Sequence, residues 1–258
     1  MPAKETVKKA FSKSAATYDT ASDFQKETGR MLTDKILEAE AAAERILDVG
    51  IGTGSVTARL SNSMNAALYG CDIAWGMASL AKKNAKNIFI SQADAERLPY
   101  KESVFDVVFS NITYQWMQDF KAAFCEVNRI LKKGGRLYFS ILLKGSLPEL
   151  YKALGAADKN SLTDMLPDAV FLRSALDDSG LKIKCWEEIK LKRFYENCLG
   201  LVKTFRLIGA DRARGANIFK MGERKAFFSM VDFYDTNFYE QKKVFATYNV
   251  AIIRADKI

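Results

Sequence analysis

The chain has 258 residues, 48% of them hydrophobic, which fits one α/β domain with additional segments. It contains no histidine, and this excludes a histidine general base, a Ser-His-Asp or Cys-His pair and a histidine-bound metal. No run of about 18 apolar residues is present, so no membrane-spanning segment is predicted. The net charge of +8 favours an acidic partner or substrate, although ordinary solubilising lysines would give the same excess.

The amino-terminal segment, Met1 to Lys13, is charged and lacks the apolar core of a signal peptide, so a cytoplasmic protein is expected. The four cysteines form no C-x-x-C pair and are predicted to be reduced thiols, mostly packed. They are Cys71, Cys125, Cys185 and Cys198. No metal is expected, and neither a nucleic acid nor a membrane is expected as a partner.

Two amphipathic helices are predicted ahead of the first strand, over Lys4 to Tyr18 and over Ser22 to Glu40. Each places its apolar residues near one face. Because they precede the first strand, residues 1–40 are expected to fold over the sheet as an N-terminal helical lid.

The segment 46–54 has the sequence of a buried strand that ends in a glycine-rich turn. Its apolar residues leave no charged face, as expected for a central parallel strand. Gly50, Gly52 and Gly54 permit positive φ angles and a close approach of a ligand to the backbone. A helix predicted over 55–60 would direct free N–H groups at that ligand. The pattern indicates a nucleotide-type site at the carboxyl end of a first strand.

Strands and helices continue to alternate after this turn, which predicts a doubly wound, mostly parallel α/β sheet. Further strands are predicted at 66–71, 88–91, 104–111 and 136–143, with helices at 75–83 and 120–131. Asp72 follows the second strand, where a carboxylate can accept hydrogen bonds from ribose hydroxyls. Asp94 follows the third strand, and Asn111 ends the fourth, at the same edge of the sheet.

The glycine spacing, with Asp48 two residues before Gly50, resembles the first motif of the class I S-adenosylmethionine (SAM) methyltransferases. A dinucleotide site would instead require G-x-G-x-x-G, which makes an NAD-dependent oxidoreductase the weaker interpretation. The resemblance implies a seven-stranded, Rossmann-like sheet and SAM as the cofactor. The cofactor-binding residues that it implies are Asp48, Gly50, Gly52, Gly54, Asp72, Ile73, Asp94, Ala95, Asn111 and Gln115.

The same resemblance implies separate roles for some of these residues. Asp48 helps to hold the amino-acid end of the cofactor, usually through the glycine loop or water. Asp94 hydrogen-bonds the adenine amino group, and Ala95 supplies a backbone contact. Tyr18, in the stretch from Phe11 to Asp19, closes over the methionine end.

Four stretches outside the cofactor motifs are similar to the biotin-pathway malonyl-[acyl-carrier protein] O-methyltransferases. They are 114–116 (YQW), 144–150 (KGSLPEL), 201–210 (LVKTFRLIGA) and 245–250 (FATYNV). This similarity implies SAM-dependent O-methylation of the free carboxylate of a malonyl thioester, early in biotin synthesis. Acyl carrier protein would then be the partner that bears the malonyl group.

Carboxyl methylation is compatible with a chain that has no histidine. A carboxylate has a pKa of about 4 and is already ionised at neutral pH, so no general base is required. A cation must still fix the acceptor, and arginine offers bidentate geometry to a carboxylate. Arg206 is therefore the first choice, with Lys203 on the same helical face and Lys144 after the fifth strand. Each of these groups would look the same in the sequence if it were a solvated surface cation.

Residues 193–242 are predicted to form a helical cap insertion, within a single methyltransferase domain that spans 1–258. The cap is expected between a sixth strand at 181–191 and a last strand at 244–253, and a helix is predicted at 168–178. The basic residues that could dock an acidic carrier are Lys190, Lys192, Arg193, Arg212 and Arg214.

Two alternatives to malonyl methylation stay open at this point. The acceptor of a SAM-dependent methyltransferase could be another small carboxylate, a quinone precursor or a lipid-like carbon. A non-catalytic SAM-binding protein is an interpretation from a different class, and the presence of Asp48, Asp72 and Asp94 argues against it.

Overall fold

The computed structural model describes residues 3–85, 87–156, 166–213 and 224–258. The strands of these segments are β1 (Arg45–Val49), β2 (Ala67–Asp72), β3 (Ile88–Gln92), β4 (Phe105–Asn111), β5 (Leu131–Leu142), β6 (Leu181–Tyr195), β7 (Tyr239–Glu240) and β8 (Lys243–Lys257). The helices are α1 (Lys4–Tyr18), α2 (Asp23–Ala39), α3 (Thr57–Ser61), α4 (Trp75–Asn84), α5 (Phe120–Ile130), α6 (Pro148–Ala156), α7 (Ala169–Asp178), α8 (Cys198–Ile208), α9 (Ala210–Ala213) and α10 (Arg224–Asn237). A short 3-10 turn covers Tyr114–Trp116.

One sheet contains all the described strands, in the order β3-β2-β1-β4-β5-β8-β6, with the two-residue β7 paired to β8. The strands from β1 to β5 are parallel, whereas β8 runs antiparallel to both β5 and β6. The prediction of a doubly wound, mostly parallel sheet is therefore confirmed. The chain moves outward from β1 to β3 and returns to β4 beside β1, so the strand order reverses next to the glycine-rich turn, where α/β sheets bind ligands.

Strand β1 is buried on both faces from Ile46 to Val49, as the apolar Ile46, Leu47 and Val49 predict. Ile46 packs in the same cluster as Leu32 and Ile36 of α2. Leu47 points to the opposite face and joins the cluster that contains Phe124 and Val127 of α5. The period-2 alternation of a strand thus explains why helices cover both sides of the sheet.

Local capping residues set several helix ends. The Asp119 side chain accepts a hydrogen bond from the Ala122 N–H at the start of α5, and Asp168 does the same for Phe171 at the start of α7. Helix α8 ends at Gly209, which has φ of 80° and forms a left-handed C-cap. These signals lie within one turn of the helix ends, and the predicted helices at 120–131 and 168–178 agree with the structure to within a residue.

Strand β8 ends at Lys257 and not at the predicted residue 253, and two further predicted boundaries are wrong. Strand β6 continues to Tyr195, so Arg193 lies in the sheet and the first cap helix begins only at Cys198. Strand β5 begins at Leu131, which pairs with Phe105, whereas the sequence predicted a helical end followed by a strand from Arg136. In both cases a neighbouring strand supplies pairing that the local sequence does not reveal.

Asp106 anchors the start of β4. Its carboxylate accepts hydrogen bonds from the backbone N–H groups of Glu44 and Arg45 and pairs with Lys132 at 2.7 Å. Partial burial opposes ionisation, but these donors outweigh it and hold the pKa of Asp106 below its usual range.

All four cysteines are free thiols, and two of them, Cys71 and Cys198, are buried. Cys125 is exposed and Cys185 is half-buried, so the prediction that the thiols are mostly packed holds for only two of the four. Among the described helices, none combines the length and the apolar character that crossing a bilayer requires.

Candidate active site

The glycine-rich turn folds back onto strand β2. The N–H groups of Gly50 and Ile51 both donate to the Cys71 carbonyl, at 2.8 and 2.9 Å. A Cβ on Gly50, where φ is 80°, would lie 2.3 Å from the Thr113 side chain, so no larger residue fits. At Gly52 an added Cβ would meet nothing within 4 Å. The reason for a glycine there is the positive φ of 57°. Gly50 therefore permits close packing, whereas Gly52 adopts a positive φ beside open space.

Asp72 fixes the glycine turn from the end of β2. One carboxylate oxygen accepts the Gly52 N–H at 3.0 Å, and the other accepts the Ala74 N–H at 2.8 Å. Burial raises the pKa of Asp72 to about 6, although both hydrogen bonds oppose the rise. Each oxygen retains a second acceptor direction for a ligand hydroxyl.

Asp48 lies beneath the turn and is only 2% exposed. Its Oδ2 accepts a hydrogen bond from the Thr57 hydroxyl, and its Oδ1 is buried with no partner among the described residues. Burial raises the pKa of Asp48 to about 7; the Thr57 hydrogen bond opposes this rise, and the negative charge of Asp72 adds to it. Two poorly compensated carboxylates in one place are suited to a cationic ligand.

An open cleft lies at this edge of the sheet. The empty space in it, including the solvent at its mouth, is about 450 Å³. Five predicted cofactor residues line it together: Gly50, Asp72, Ile73, Asp94 and Ala95. Other lining residues, which the sequence analysis did not assign to the cofactor, include Lys4, Val7, Cys71, Thr113 and Trp116.

Helix α1 closes one side of this cavity. The Lys4 ammonium lies 2.6 Å from Asp94 Oδ2 and 2.7 Å from Glu96 Oε2. The Phe11 ring packs edge-on against Trp116, with 5.3 Å between centroids. The prediction of a lid remains a prediction as regards movement, but α1 does cover the site. No sequence signal singled out Lys4, because its partner lies 90 residues away.

Tyr18, at the end of α1, lies near the carboxylates of the site. It packs with Ala74 and Met77 at the start of α4. Burial raises the pKa of its phenol well above the usual range, and the charges of Asp72 and Asp19 raise it further. Tyr18 therefore stays protonated and can donate a hydrogen bond but cannot act as a base near neutral pH.

Two predicted cofactor residues, Asn111 and Gln115, do not line the cavity. The Asn111 amide donates to the Gln25 carbonyl at 2.9 Å, and its oxygen accepts from the Ser140 hydroxyl at 2.7 Å. Asn111 thus joins α2 to strands β4 and β5. Gln115 is buried, and its Oε1 has no partner among the described residues. Asp48, Gly52 and Gly54 are also outside the lining, although the Gly52 N–H donates to Asp72, which lines the cavity.

The cations predicted to bind the acceptor lie away from this cavity lining. Lys144, Lys203 and Arg206 are all exposed. The Arg206 side chain is 64% exposed, with its Nε 3.9 Å from Asp211. Their roles therefore remain predictions, without a contact in the site to support them.

The basic residues predicted to dock a carrier separate into three groups. Lys190 and Lys192 are exposed on β6, and Lys192 pairs with Glu240 at 2.6 Å. Arg193 instead pairs with Glu27 of α2 and is only 28% exposed. The side chain of Arg212 and all of Arg214 lie outside the described residues.

Comparison with known proteins places the chain in a family. Residues 47–139 match the family described as a methyltransferase domain. The malonyl-[acyl-carrier protein] O-methyltransferase of Hahella chejuensis is 34% identical over 252 residues, which cover 96% of this chain and 89% of that protein. This chain belongs to the malonyl-[acyl-carrier protein] O-methyltransferase family. Another family member, from Herminiimonas arsenicoxydans, is 36% identical over 80% of this chain and 78% of its own.

Solved structures support the fold of this malonyl-[acyl-carrier protein] O-methyltransferase family member. The YcgJ protein of Bacillus subtilis superimposes with a TM-score of 0.63 at 19% identity, covering 88% of this chain and 98% of its own. A geranyl diphosphate methyltransferase in complex with SAM gives 0.56 at 15% identity, covering 90% and 85%. At these identities the likeness concerns the fold alone.

Proposed function

We propose that this protein transfers a methyl group from SAM to the free carboxylate of a malonyl thioester on acyl carrier protein, at the start of biotin synthesis. The observation that carries the proposal is the 34% identity to the Hahella chejuensis enzyme over 96% of the chain. That similarity extends beyond residues 47–139, the part that matches the general methyltransferase domain. It therefore includes the lid and the cap, where acceptor specificity is expected.

The residues of the site fit the cofactor. The buried, unpartnered Oδ1 of Asp48 suits the ammonium at the amino-acid end. Asp72 can accept ribose hydroxyls with the acceptor directions that its two backbone hydrogen bonds leave open. Asp94 and Ala95 line the cavity where the adenine would bind. When bound, SAM supplies an electrophilic methyl group for an in-line displacement.

The chain's own residues contribute positioning and exclusion of water. The acceptor carboxylate is ionised at neutral pH, so no residue has to remove a proton. Tyr18 stays protonated and donates rather than accepts at the methionine end. Helix α1 covers the cavity, which strengthens the electrostatic interactions inside it. Holding the reacting groups in an attack geometry can supply about 7–11 kcal/mol of the barrier reduction.

The carrier is proposed to dock on the exposed basic face of β6. Lys190 and Lys192 lie on that face, and the chain carries a net charge of +8. An acidic carrier would be attracted by this charge in a salt-dependent manner. A cytoplasmic location, where acyl carriers are used, is part of the same proposal.

The deciding experiment supplies labelled SAM and compares acceptors. Malonyl-carrier should gain a base-labile methyl ester, whereas acetyl-carrier, which lacks a free carboxylate, should gain none. Malonyl-coenzyme A and free malonate separate the thioester requirement from the carrier requirement. Label on a quinone precursor or a lipid, with none on any malonyl thioester, would refute the proposal. Cofactor binding without turnover on any acceptor would indicate a non-catalytic protein.

Charge reversal tests the docking face. Lys190→Glu should lower kcat/KM for malonyl-carrier severalfold and leave malonyl-coenzyme A unaffected. Lys182→Glu is the matched control, because Lys182 is exposed at the opposite end of the same strand. Equal losses in the two variants, or a loss with coenzyme A as well, would count against docking at this face.

A further inference from the structure

Arg193 lies on the inner face of strand β6. It is opposite Ala246 of β8, and side chains alternate along a strand, so it shares its face with Tyr195 and with Tyr248 across the pair. Helix α2 covers this face, since the Phe24 ring stacks on Tyr248 at 4.4 Å between centroids. The Arg193 guanidinium is therefore enclosed between the sheet and α2 and does not join the outer basic face.

Only some of the hydrogen-bond donors of this guanidinium have a partner in this position. Its Nη2 pairs with Glu27 of α2, and both side chains are 28% exposed. Its Nε is buried and has no hydrogen-bond partner among the described residues. A guanidinium presents five N–H donors in a rigid fork, so an arginine held at one end can still receive a second carboxylate along its Nε edge. A buried donor without an acceptor is unfavourable, and a carboxylate would remove that cost.

The first turns of α2 connect this arginine to the cofactor site. Phe24 and Glu27 are three residues apart and face the β6–β8 pair. Gln25 faces the end of β4, where its carbonyl accepts the Asn111 amide. Thr113, two residues after Asn111, lines the cofactor cavity. The side of α2 that faces the β6–β8 pair and the side that faces the end of β4 are separated only by the width of this helix. A helix with its side chains is about 10–12 Å across.

Further buried polar atoms without partners lie at the start of α2. The Ser22 hydroxyl and the Gln25 side-chain oxygen are both buried and have no hydrogen-bond partner in the described part of the chain. The same first turn of α2 carries Phe24, whose ring stacks on Tyr248, so unpartnered polar groups and an aromatic side chain share this turn. Polar groups on an apolar wall are the usual composition of a small-molecule site.

We propose that Arg193, and not Arg206, binds the carboxylate of the acceptor through the N–H of its Nε, while Glu27 pairs with its Nη2. This inference rests on the proposed function, because it names the residue that recognises the malonyl carboxylate. Arg206 is 64% exposed, and water competes for an exposed cation. Because Glu27 already neutralises the charge of Arg193, the bound acceptor carboxylate adds one uncompensated negative charge. Methylation removes that charge. The uncharged ester then has a weaker hold on the site.

Equilibrium binding separates this inference from the function on which it rests. Malonyl-coenzyme A is titrated into protein saturated with S-adenosylhomocysteine, so no turnover is needed. Arg193→Gln should weaken this binding at least about tenfold, as expected for loss of a partly buried charge pair. Its binding of the malonyl methyl ester should match that of the wild type, because the ester carries no charge at this position. Lys182→Gln removes the same charge from the far end of β6 and should change neither.

Glu27→Gln provides a test with the opposite sign. It removes the carboxylate that competes for Arg193, so malonyl-coenzyme A should bind more tightly than to the wild type. An arginine with only a structural role predicts no gain in Glu27→Gln, even if Arg193→Gln fails to fold. Unchanged acid binding in Arg193→Gln, or a loss found in Arg206→Gln instead, would overturn the inference. If the wild type binds malonyl-coenzyme A through Arg193 but transfers no methyl group to it, the proposed function is overturned and the assignment of Arg193 is not.

Discussion

Asp48 should make cofactor binding depend on pH between about pH 5 and 7.5. The carboxyl is buried, one oxygen has no partner, and its pKa is raised to about 7. Below that value the free protein carries a proton on Asp48. A bound cofactor places a cation at the site and favours the ionised carboxylate, so binding must release the proton. Affinity should therefore rise with pH and level off above about 7.

The magnitude follows from the size of the shift. An increase from 3.8 to about 7 corresponds to roughly 4 kcal/mol at about 1.4 kcal/mol per pKa unit. If the bound cofactor restores an ordinary pKa, affinity at pH 5 should be about a hundredfold weaker than the plateau. Asp72, with a pKa of about 6, should steepen the dependence at the acid end. The window is kept below pH 7.5 so that the cofactor's own amine, with a pKa of about 8, stays protonated.

Isothermal titration calorimetry with SAM measures both the affinity and the number of protons released on binding. Titrations in two buffers with different ionisation enthalpies give the number of protons released at each pH. About one proton should leave at pH 6, and the number should fall to about a quarter of a proton by pH 7.5. Folding of the cofactor-free protein should show the opposite pH dependence. Asp48 is protonated in the folded state and ionised in the unfolded chain between about pH 4 and 7, so stability should fall as pH rises through that range.

Two variants serve as controls for this prediction. Asp48→Asn should lose the proton release that is assigned to this residue. Thr57→Val removes the hydrogen bond that opposes the pKa rise, so it should move the inflection to a higher pH. Equal affinity at pH 5 and pH 7.5, with no proton release, would refute the assignment of Asp48 to the cofactor's cation.

Two further predictions concern the turn and the fold. Gly50→Ala places a Cβ against Thr113 and should weaken SAM binding at least about tenfold. Gly134→Ala, with similar positive φ but open space around it, should keep wild-type affinity in the same calorimetric titration. Asp106→Asn breaks the pair with Lys132 and should cost about 1–3 kcal/mol at neutral pH. Because the pKa of Asp106 is lowered, that cost should disappear as pH falls below about 4; thermal melts that stay apart in acid would contradict this.

The order of the core elements was predictable because each one has its own local signature. Strand β1 carries the buried apolar residues Ile46, Leu47 and Val49, and α5 and α7 begin at aspartates that cap them. Strand β6 was predicted too short for the opposite reason. Its last residues pair with β8 about 50 positions later, and the exposed Lys192 and Phe194 at its end do not read as a buried strand.

The cofactor motif was also local. Asp48 and the three glycines lie within seven consecutive positions. A strand followed by a tight turn brings them together in any fold of this kind. Lys4 and Asp94 could not be paired from the sequence, because 90 residues separate them. Asn111 has the right residue type at the right edge, but α2 and β5 occupy its hydrogen-bonding groups.

The sequence by itself determined the sheet, the position of the glycine turn and the need for a cation to meet an anionic acceptor. It offered 39 lysines and arginines, and the choice of Arg206 among them depended on residue type and helical spacing alone. Only the tertiary structure turned Arg193 inward against Glu27 and left Arg206 in solvent. Burial and pairing depend on contacts between segments far apart in the chain, and the periodicity of one segment cannot report which neighbour will cover it.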